Sequence, residues 1–298
     1  MTMADALIKQ SHWMGQKSER VKSMQERDYK MLEEKARQIR HNIVDMIGGS
    51  GKVGHLGGSC SSADIVAALY FYKMKVNPQN PKDPERDRFL LSKGHAALVQ
   101  YAALAELNYF DKSELHKVKT LHSTLQGHPD YTKTPGVEAN TGSLGQGLSI
   151  GTGMALGLKL DNSKSRVYVI MGDGELAEGQ IWEAAGTAAH YKLDNLVGIV
   201  DANGVQATGT VAERFNTGDL ASKWKAFGWH VIEIDGHNMK EICDALDEAE
   251  TVKGQPTLIY AKTIKGKGVK FAEGLAAFHN AGLTQEQFEQ AHCDIDTY

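Results

Sequence analysis

Cysteine and proline are both scarce: the chain has three cysteines and six prolines among 298 residues. Cys60, Cys243 and Cys293 are odd in number, widely spaced and without a C-x-x-C pair, which argues against a disulfide framework and fits free thiols in a reducing cytoplasm. So little proline leaves no stiff linker. Long apolar runs are missing as well, and none reaches the length that spans a bilayer. The N-terminal Lys9, Lys17, Arg20 and Lys22 flank no apolar core of the kind a secretory signal needs. Nor is there an excess of positive charge. A net charge of −4 and a pI near 6.3 give no electrostatic case for nucleic acid or a membrane surface as partner.

Glycine and histidine, by contrast, are plentiful, with 31 and 12 residues, and several histidines follow glycine. This balance favours tight turns that let ligands approach the backbone. Residues 1–35 are charged and carry only a weak apolar stripe at Met24, Met31 and Leu32, so they read as a helical or partly disordered arm, either a solvated tail or a partner-binding segment. From residue 36 to 298 the elements alternate as in one α/β domain, a mainly parallel sheet with helices on both faces. The spacing predicts a helix over 36–47, a glycine-rich loop over 48–58 and a helix over 63–72 capped by Ser61 or Ser62. A strand over 87–92 and a helix over 96–107 follow. After a loop at 136–144 come a helix at 146–158, strands at 166–171 and 195–201 around a helix at 179–190, strands at 229–235 and 256–262 around a helix at 240–252, and a terminal helix at 284–292.

Gly172-Asp173-Gly174 closes one apolar run and Asn203 closes the next, 30 positions after Asp173. Strand, helix and strand make a right-handed βαβ unit, so both residues emerge at the carboxyl edge of one sheet, where open α/β sheets bind ligands. A carboxylate and an amide oxygen suit a hard cation such as Mg²⁺, whose octahedron is completed by water and phosphate oxygens. Gly174 lets backbone approach a diphosphate, and the helix after it offers free N–H groups. Gly-Asp-Gly alone is more often a surface turn; the Asn at the end of the next strand raises it to a metal-diphosphate site. The other loops at that edge carry His55, His95, His128, Gly142-Ser143-Leu144 and His279. Imidazoles there suit proton movement near neutral pH.

The run from Gly172-Asp-Gly-Glu175-Leu-Ala-Glu178 through Asn203 resembles the thiamine diphosphate enzymes, and the transketolase family in particular. The similarity extends from about residue 36 to 284. Val53-Gly-His55-Leu-Gly-Gly is similar to the loop whose histidine faces substrate beside the thiazolium. Ser92-Lys-Gly-His95 resembles the segment whose histidine contacts the diphosphate, and Gln126-Gly-His128-Pro129 the loop whose histidine touches a hydroxyl of the donor sugar. Gly142, Ser143 and Leu144 match the loop that grips the aminopyrimidine, with Ser143 where many relatives have proline. The basic loop 262–268 and His279 resemble the cofactor-side end of that domain, which gives His279 a part in cofactor binding and in catalysis; Asn280 stands where glycine is usual. The resemblance adds Gly174, Glu175 and Asn203 to the cofactor contacts and the Val205 carbonyl to the metal ligands Asp173 and Asn203. Glu178 reads either as an acid at a subunit interface or as a helix N-terminal acid favoured by the dipole.

All these motifs belong to the diphosphate-binding domain of such enzymes. The pyrimidine-binding domain, with the glutamate that protonates the cofactor ring and the groups that hold the sugar phosphate, has no counterpart here. The resemblance therefore implies the N-terminal subunit of a split transketolase. It would be active in transferring a two-carbon ketol (glycolaldehyde) unit from a ketose phosphate to an aldose only with a separate C-terminal subunit. It would also self-associate, giving an α₂β₂ heterotetramer. Two alternatives stand beside it: the α-subunit of a thiamine-dependent 2-oxo acid dehydrogenase, against which Gly204 and His55 argue, and a non-catalytic regulatory module.

Overall fold

A computed structural model describes residues 28–49 and 52–298. Its sheet has five strands, β1 (Arg88–Leu91), β2 (Val167–Gly172), β3 (Leu196–Ala202), β4 (His230–Asp235) and β5 (Thr257–Lys262), in the order β1-β2-β3-β5-β4. Every pairing is parallel. β2 and β3 are near-continuous apolar runs, as strands covered on both faces require.

Alternate side chains serve opposite faces. Tyr168 and Ile170 join Val197, Ile199 and Ile259 in one core, while Val167, Val169 and Met171 join Leu196, Val200 and Leu258 in the other. The first face is covered by α1 (Tyr29–Ile47), the short α2 (Leu56–Cys60), α3 (Ala63–Ala68) and α4 (Ala97–Glu106), together with two later helices, Met239–Thr251 and Gln285–Asp296. The second is covered by α5 (Gln146–Leu160), α6 (Gly179–His190) and α7 (Leu220–Ala226). The expected two-sided α/β layering is therefore present. α5 lies tight on the sheet because it offers glycines there: a Cβ on Gly151 would stand 2.6 Å from Val169, and one on Gly147 2.5 Å from Ser92.

Three expectations need correction. The helix expected over 36–47 begins at Tyr29, where the Asp28 side chain accepts from the Met31 amide at 2.9 Å. Residues 29–35, read as part of the arm, are thus helical and bury Leu32, while residues 1–27 lie outside the described residues. The glycine-rich loop stops at His55, and Gly57 and Gly58 are helical in α2. Neither Ser61 nor Ser62 caps α3; their hydroxyls turn instead to the Gly58 carbonyl and the Asp201 carboxylate. A buried charge outcompetes a local cap because an unpaired carboxylate in the core costs far more than a frayed helix end. α3 runs on as a π turn over Leu69–Lys73.

Candidate active site

The register of β2 on β3 pairs Gly172 with Asp201, so Asp173 and Asn203 leave the sheet side by side. Asp173 Oδ1 accepts from the Gly174 amide at 2.8 Å and Oδ2 from the Gly204 amide at 2.5 Å. Gly204 makes that contact from the left-handed region, at φ 73°, where other residues are strained. Asn203 donates through Nδ2 to Asp201 Oδ2 at 3.1 Å, and its Oδ1 accepts from the Val205 amide at 3.1 Å. Asp201 thereby turns the amide so that its oxygen lies on the 203–205 turn. The Val205 carbonyl accepts from Lys265 Nζ at 2.8 Å. Burial, then the charge of Asp201, pushes the Asp173 carboxyl up, so the site's own electrostatics favour a cation beside it. Among the described residues no three His, Cys, Asp or Glu side chains gather as a metal cage. A cation here would rely on one carboxylate, an amide oxygen, a carbonyl and the oxygens of a bound ligand, which is the coordination Mg²⁺ accepts.

Behind this edge lies an ion pair that the sequence motifs do not single out. Asp201 is fully buried and pairs with Lys93, whose Nζ also donates to the Gly58 carbonyl at 2.7 Å and Ser62 Oγ at 2.6 Å. Ser61 Oγ donates to the same carboxylate at 2.6 Å, and Thr263 Oγ1 donates to its other oxygen. Burial alone would raise this carboxyl, but the Lys93 ammonium and the hydroxyl donors hold it at about 2. The knot ties α2, α3, β1, β3 and the loop after β5 together under the site. The only signal for it in the sequence was position: Lys93 lies between Ser92 and Gly94, and Asp201 stands two residues before Asn203.

The expected histidines converge. The His55 ring centroid lies 5.0 Å from that of His95, 5.4 Å from His279 and 6.5 Å from His128, and His95 and His279 are 5.0 Å apart. Lys265 Nζ sits 3.0 Å from His279 Nδ1. Burial, then the neighbouring imidazoles and Lys119, lowers His55 to about 4; burial, then Lys93, lowers His95 to about 2; burial, then Lys265, lowers His279 to about 4. His128 is lowered by burial and by Lys119. At neutral pH the cluster is uncharged, so each ring offers one donor and one acceptor nitrogen.

This arrangement makes stability depend on pH. The unfolded chain takes up imidazole protons near pH 6.5 and the folded chain does not, so stability is complete above that value and falls as pH drops towards about 4 for His55 and His279, and further for His95. Each group contributes at most about 1.4 kcal/mol per pH unit, reduced by its partial exposure. Urea midpoints should fall between pH 7 and pH 5, and His55→Gln should flatten that slope. An unchanged slope in the variant would mean that His55 is not held neutral by its surroundings.

A cavity of about 210 Å³ opens between these groups, lined by His95, Leu144, Asp173, Gly174, Asn203 and Lys265 among others. Gly142 is not at its wall; it backs onto His128, whose Cδ2 would stand 3.0 Å from a Cβ there. Ser143 is exposed and does not line this cavity either. At Gly174 the group that approaches closely in this chain is the Gln206 side chain, 2.8 Å from where a Cβ would be. A 3₁₀ turn over Gly174–Ala177 separates it from α6, so the free N–H groups of α6 do not follow directly as expected. Glu175 reaches the cavity wall, yet both its oxygens accept from the chain itself, from Ser92, Gly145 and Gly172. Glu178 is exposed at the start of α6 and makes no side-chain cap there.

A diphosphate with its metal fits this donor set. Asp173, Asn203 and Val205 line the cavity together with His95 and Lys265, whose ammonium bonds the Val205 carbonyl, and among the described residues His55 Nδ1 and Thr141 Oγ1 are buried without a hydrogen-bond partner.

Comparison with known proteins supports the diphosphate part of that chemistry. The thiamine diphosphate binding domain of transketolase matches residues 32–295. A 6-deoxy-6-sulfo-D-fructose transketolase subunit from Clostridium sp. (strain MSTE9) is 45% identical over 89% of this chain and 96% of its own length. One subunit of an apulose-4-phosphate transketolase from Phocaeicola vulgatus is 40% identical over 87% of this chain and 92% of its own. Among solved structures, transketolase from Campylobacter jejuni superposes with a TM-score of 0.84 at 34% identity, covering 90% of this chain and 43% of that one. The chain belongs to the transketolase family and carries its thiamine diphosphate-binding domain.

Proposed function

We propose that this chain is the cofactor-binding subunit of a two-chain transketolase, moving a two-carbon ketol unit from a ketose with an anionic end group to an aldose or aldose phosphate. The observation that carries the reading is the meeting of four neutral histidines with the Asp173–Asn203–Val205 oxygens and Lys265 at one sheet edge. When bound, thiamine diphosphate supplies the nucleophilic carbon to which the ketol unit is attached. Asp173, the Asn203 amide oxygen and the Val205 carbonyl would hold Mg²⁺, with Lys265 and His95 on the diphosphate. Lys265 must then leave the Val205 carbonyl to the metal. Gly142, Ser143 and Leu144 would border the aminopyrimidine. His55 and His128 would accept and return protons at the sugar hydroxyls, and His279 would stand between cofactor and substrate.

The two-chain reading is supported by relatives matched over nearly their whole length and themselves named as subunits. By contrast, the chain spans 41% of the human transketolase it also matches. Their names carry a sulfonated and a phosphorylated sugar, which supports an anionic ketose as donor. A partner with the pyrimidine-binding domain would complete the site, two copies of each chain forming a heterotetramer. Glu178 and the exposed Leu121 and Phe215 are candidates for contact. Cys60, Cys243 and Cys293 form no disulfide among the described residues, which suits a reducing, cytoplasmic setting, and no helix among those residues is long and apolar enough to cross a membrane.

The test is reconstitution. The purified chain should show no ketol transfer on a panel of phosphorylated and sulfonated ketoses, and mixing with the partner should restore cofactor binding and turnover together. Full activity of the chain alone would sink the two-chain reading, and silence of the mixture on every ketose would sink the transketolase one.

A further inference from the structure

Glu175 is 2% exposed and, among the described residues, has no ion-pair partner. Its carboxylate is satisfied by the chain instead. Oε1 accepts from the Gly145 amide at 2.9 Å and from the Ser92 hydroxyl; Oε2 accepts from the Gly172 amide at 3.0 Å. Ser92 Oγ in turn accepts from the Gly147 amide at 3.1 Å. These donors come from three places: the exit of β1, the last residue of β2, and the start of α5. Gly145 is the N-cap of α5, with φ 84° and no side chain to satisfy the first-turn amides. The acceptors a cap residue normally supplies come here from across the sheet, and a carboxylate near a helix N-terminus is favoured by the dipole. The closeness of Gly147 to Ser92 is what makes the link possible.

We propose that Glu175 is a positioning residue, a buried clamp that sets the distance between the 142–145 loop and the 172–174 loop before cofactor arrives. This rests on the cofactor reading above, in which the first loop borders the aminopyrimidine and the second holds the metal and diphosphate. A ligand spanning both loops binds tightly only if their separation is preset, because ordering them on binding costs affinity. Glutamine cannot reproduce the clamp. One of its two terminal atoms becomes an NH₂ group, so at least one of the three donors faces another donor.

Two measurements test this. The first is hydrogen exchange on the chain without cofactor, where Glu175→Gln should speed exchange in both 143–149 and 170–175. The second is titration of the complete enzyme with thiamine diphosphate and Mg²⁺. There the half-saturation concentration should rise roughly 10–100-fold, the range for residues that orient ligands indirectly. At saturating cofactor kcat should change by less than about threefold. Ser92→Ala, which removes one donor to Glu175 and the acceptor for Gly147 but leaves the Gly145 and Gly172 bonds, should give a smaller rise with faster exchange mainly at the start of α5, and it decides the matter if Glu175→Gln does not fold. Wild-type exchange in both loops, or a fall in kcat with half-saturation unchanged, would overturn the clamp. Should the wild-type enzyme bind no thiamine diphosphate, the cofactor reading falls by itself, and the exchange experiment still judges whether Glu175 joins the loops.

Discussion

Asp173→Ala is expected to abolish Mg²⁺-dependent binding of thiamine diphosphate, and with it all ketol transfer, while the protein still folds. Asp173 contributes the only carboxylate of the proposed metal set, and the other two donors, the Asn203 amide oxygen and the Val205 carbonyl, are neutral. Residues that merely orient a ligand cost roughly 10–100-fold in metal affinity when lost, so a direct anionic ligand should cost at least the upper end. The fold should survive because Asp173 makes no bond that closes the core: its partners are the Gly174 and Gly204 amides of the same edge. Asp173→Asn separates charge from geometry. It keeps an acceptor for one of those amides, and its cofactor affinity should become nearly insensitive to Mg²⁺. Calorimetry with and without Mg²⁺ reads both variants, and wild-type affinity in either would show that the metal sits elsewhere.

The part of this site that was legible in the sequence is the part written locally. The apolar runs of β2 and β3, closed by Gly172-Asp173 and by Asn203, could be read because strand, helix and strand must bring their carboxyl ends to one edge; α6, expected over 179–190, has those bounds. Single side chains whose partners are remote in sequence could not. Ser61 looked like a helix cap because hydroxyls next to an apolar run usually are, and its actual acceptor, Asp201, is 140 residues away. Lys93 was hidden in the same way, between two residues of a motif that drew attention to His95. The start of α1 was placed at residue 36 and not at Tyr29 because the charged residues around Leu32 leave its apolar stripe weak, although Asp28 supplies an ordinary N-cap. Glu175, which lines the cavity, has a further set of partners that the sequence did not reveal. The family resemblance assigned it to cofactor because of where it falls in the motif, while its own oxygens are spent on Ser92, Gly145 and Gly172.

His55 and His128 should carry the proton work, so His55→Ala and His128→Ala should each lower kcat by roughly 10²–10⁴-fold, the usual range for a lost general acid or base. His55 stands at the centre of the cluster, within 6.5 Å of three other rings, with a buried Nδ1 that has no hydrogen-bond partner among the described residues. His128 is held by its neighbours: its carbonyl accepts from the Tyr101 hydroxyl at 3.0 Å, and its ring lies on Gly142. Neither lines the cavity with Asp173 and Lys265, so their loss should leave cofactor affinity within a few fold. His95 does line it, and His95→Ala should show the reverse pattern, a weaker half-saturation by cofactor with turnover largely kept once cofactor is in excess. Measuring kcat and cofactor half-saturation for all three in the complete enzyme separates the roles. Full turnover in both His55→Ala and His128→Ala would mean the sugar hydroxyls are handled by other groups, and a His95→Ala enzyme with normal cofactor affinity would move the diphosphate away from this wall.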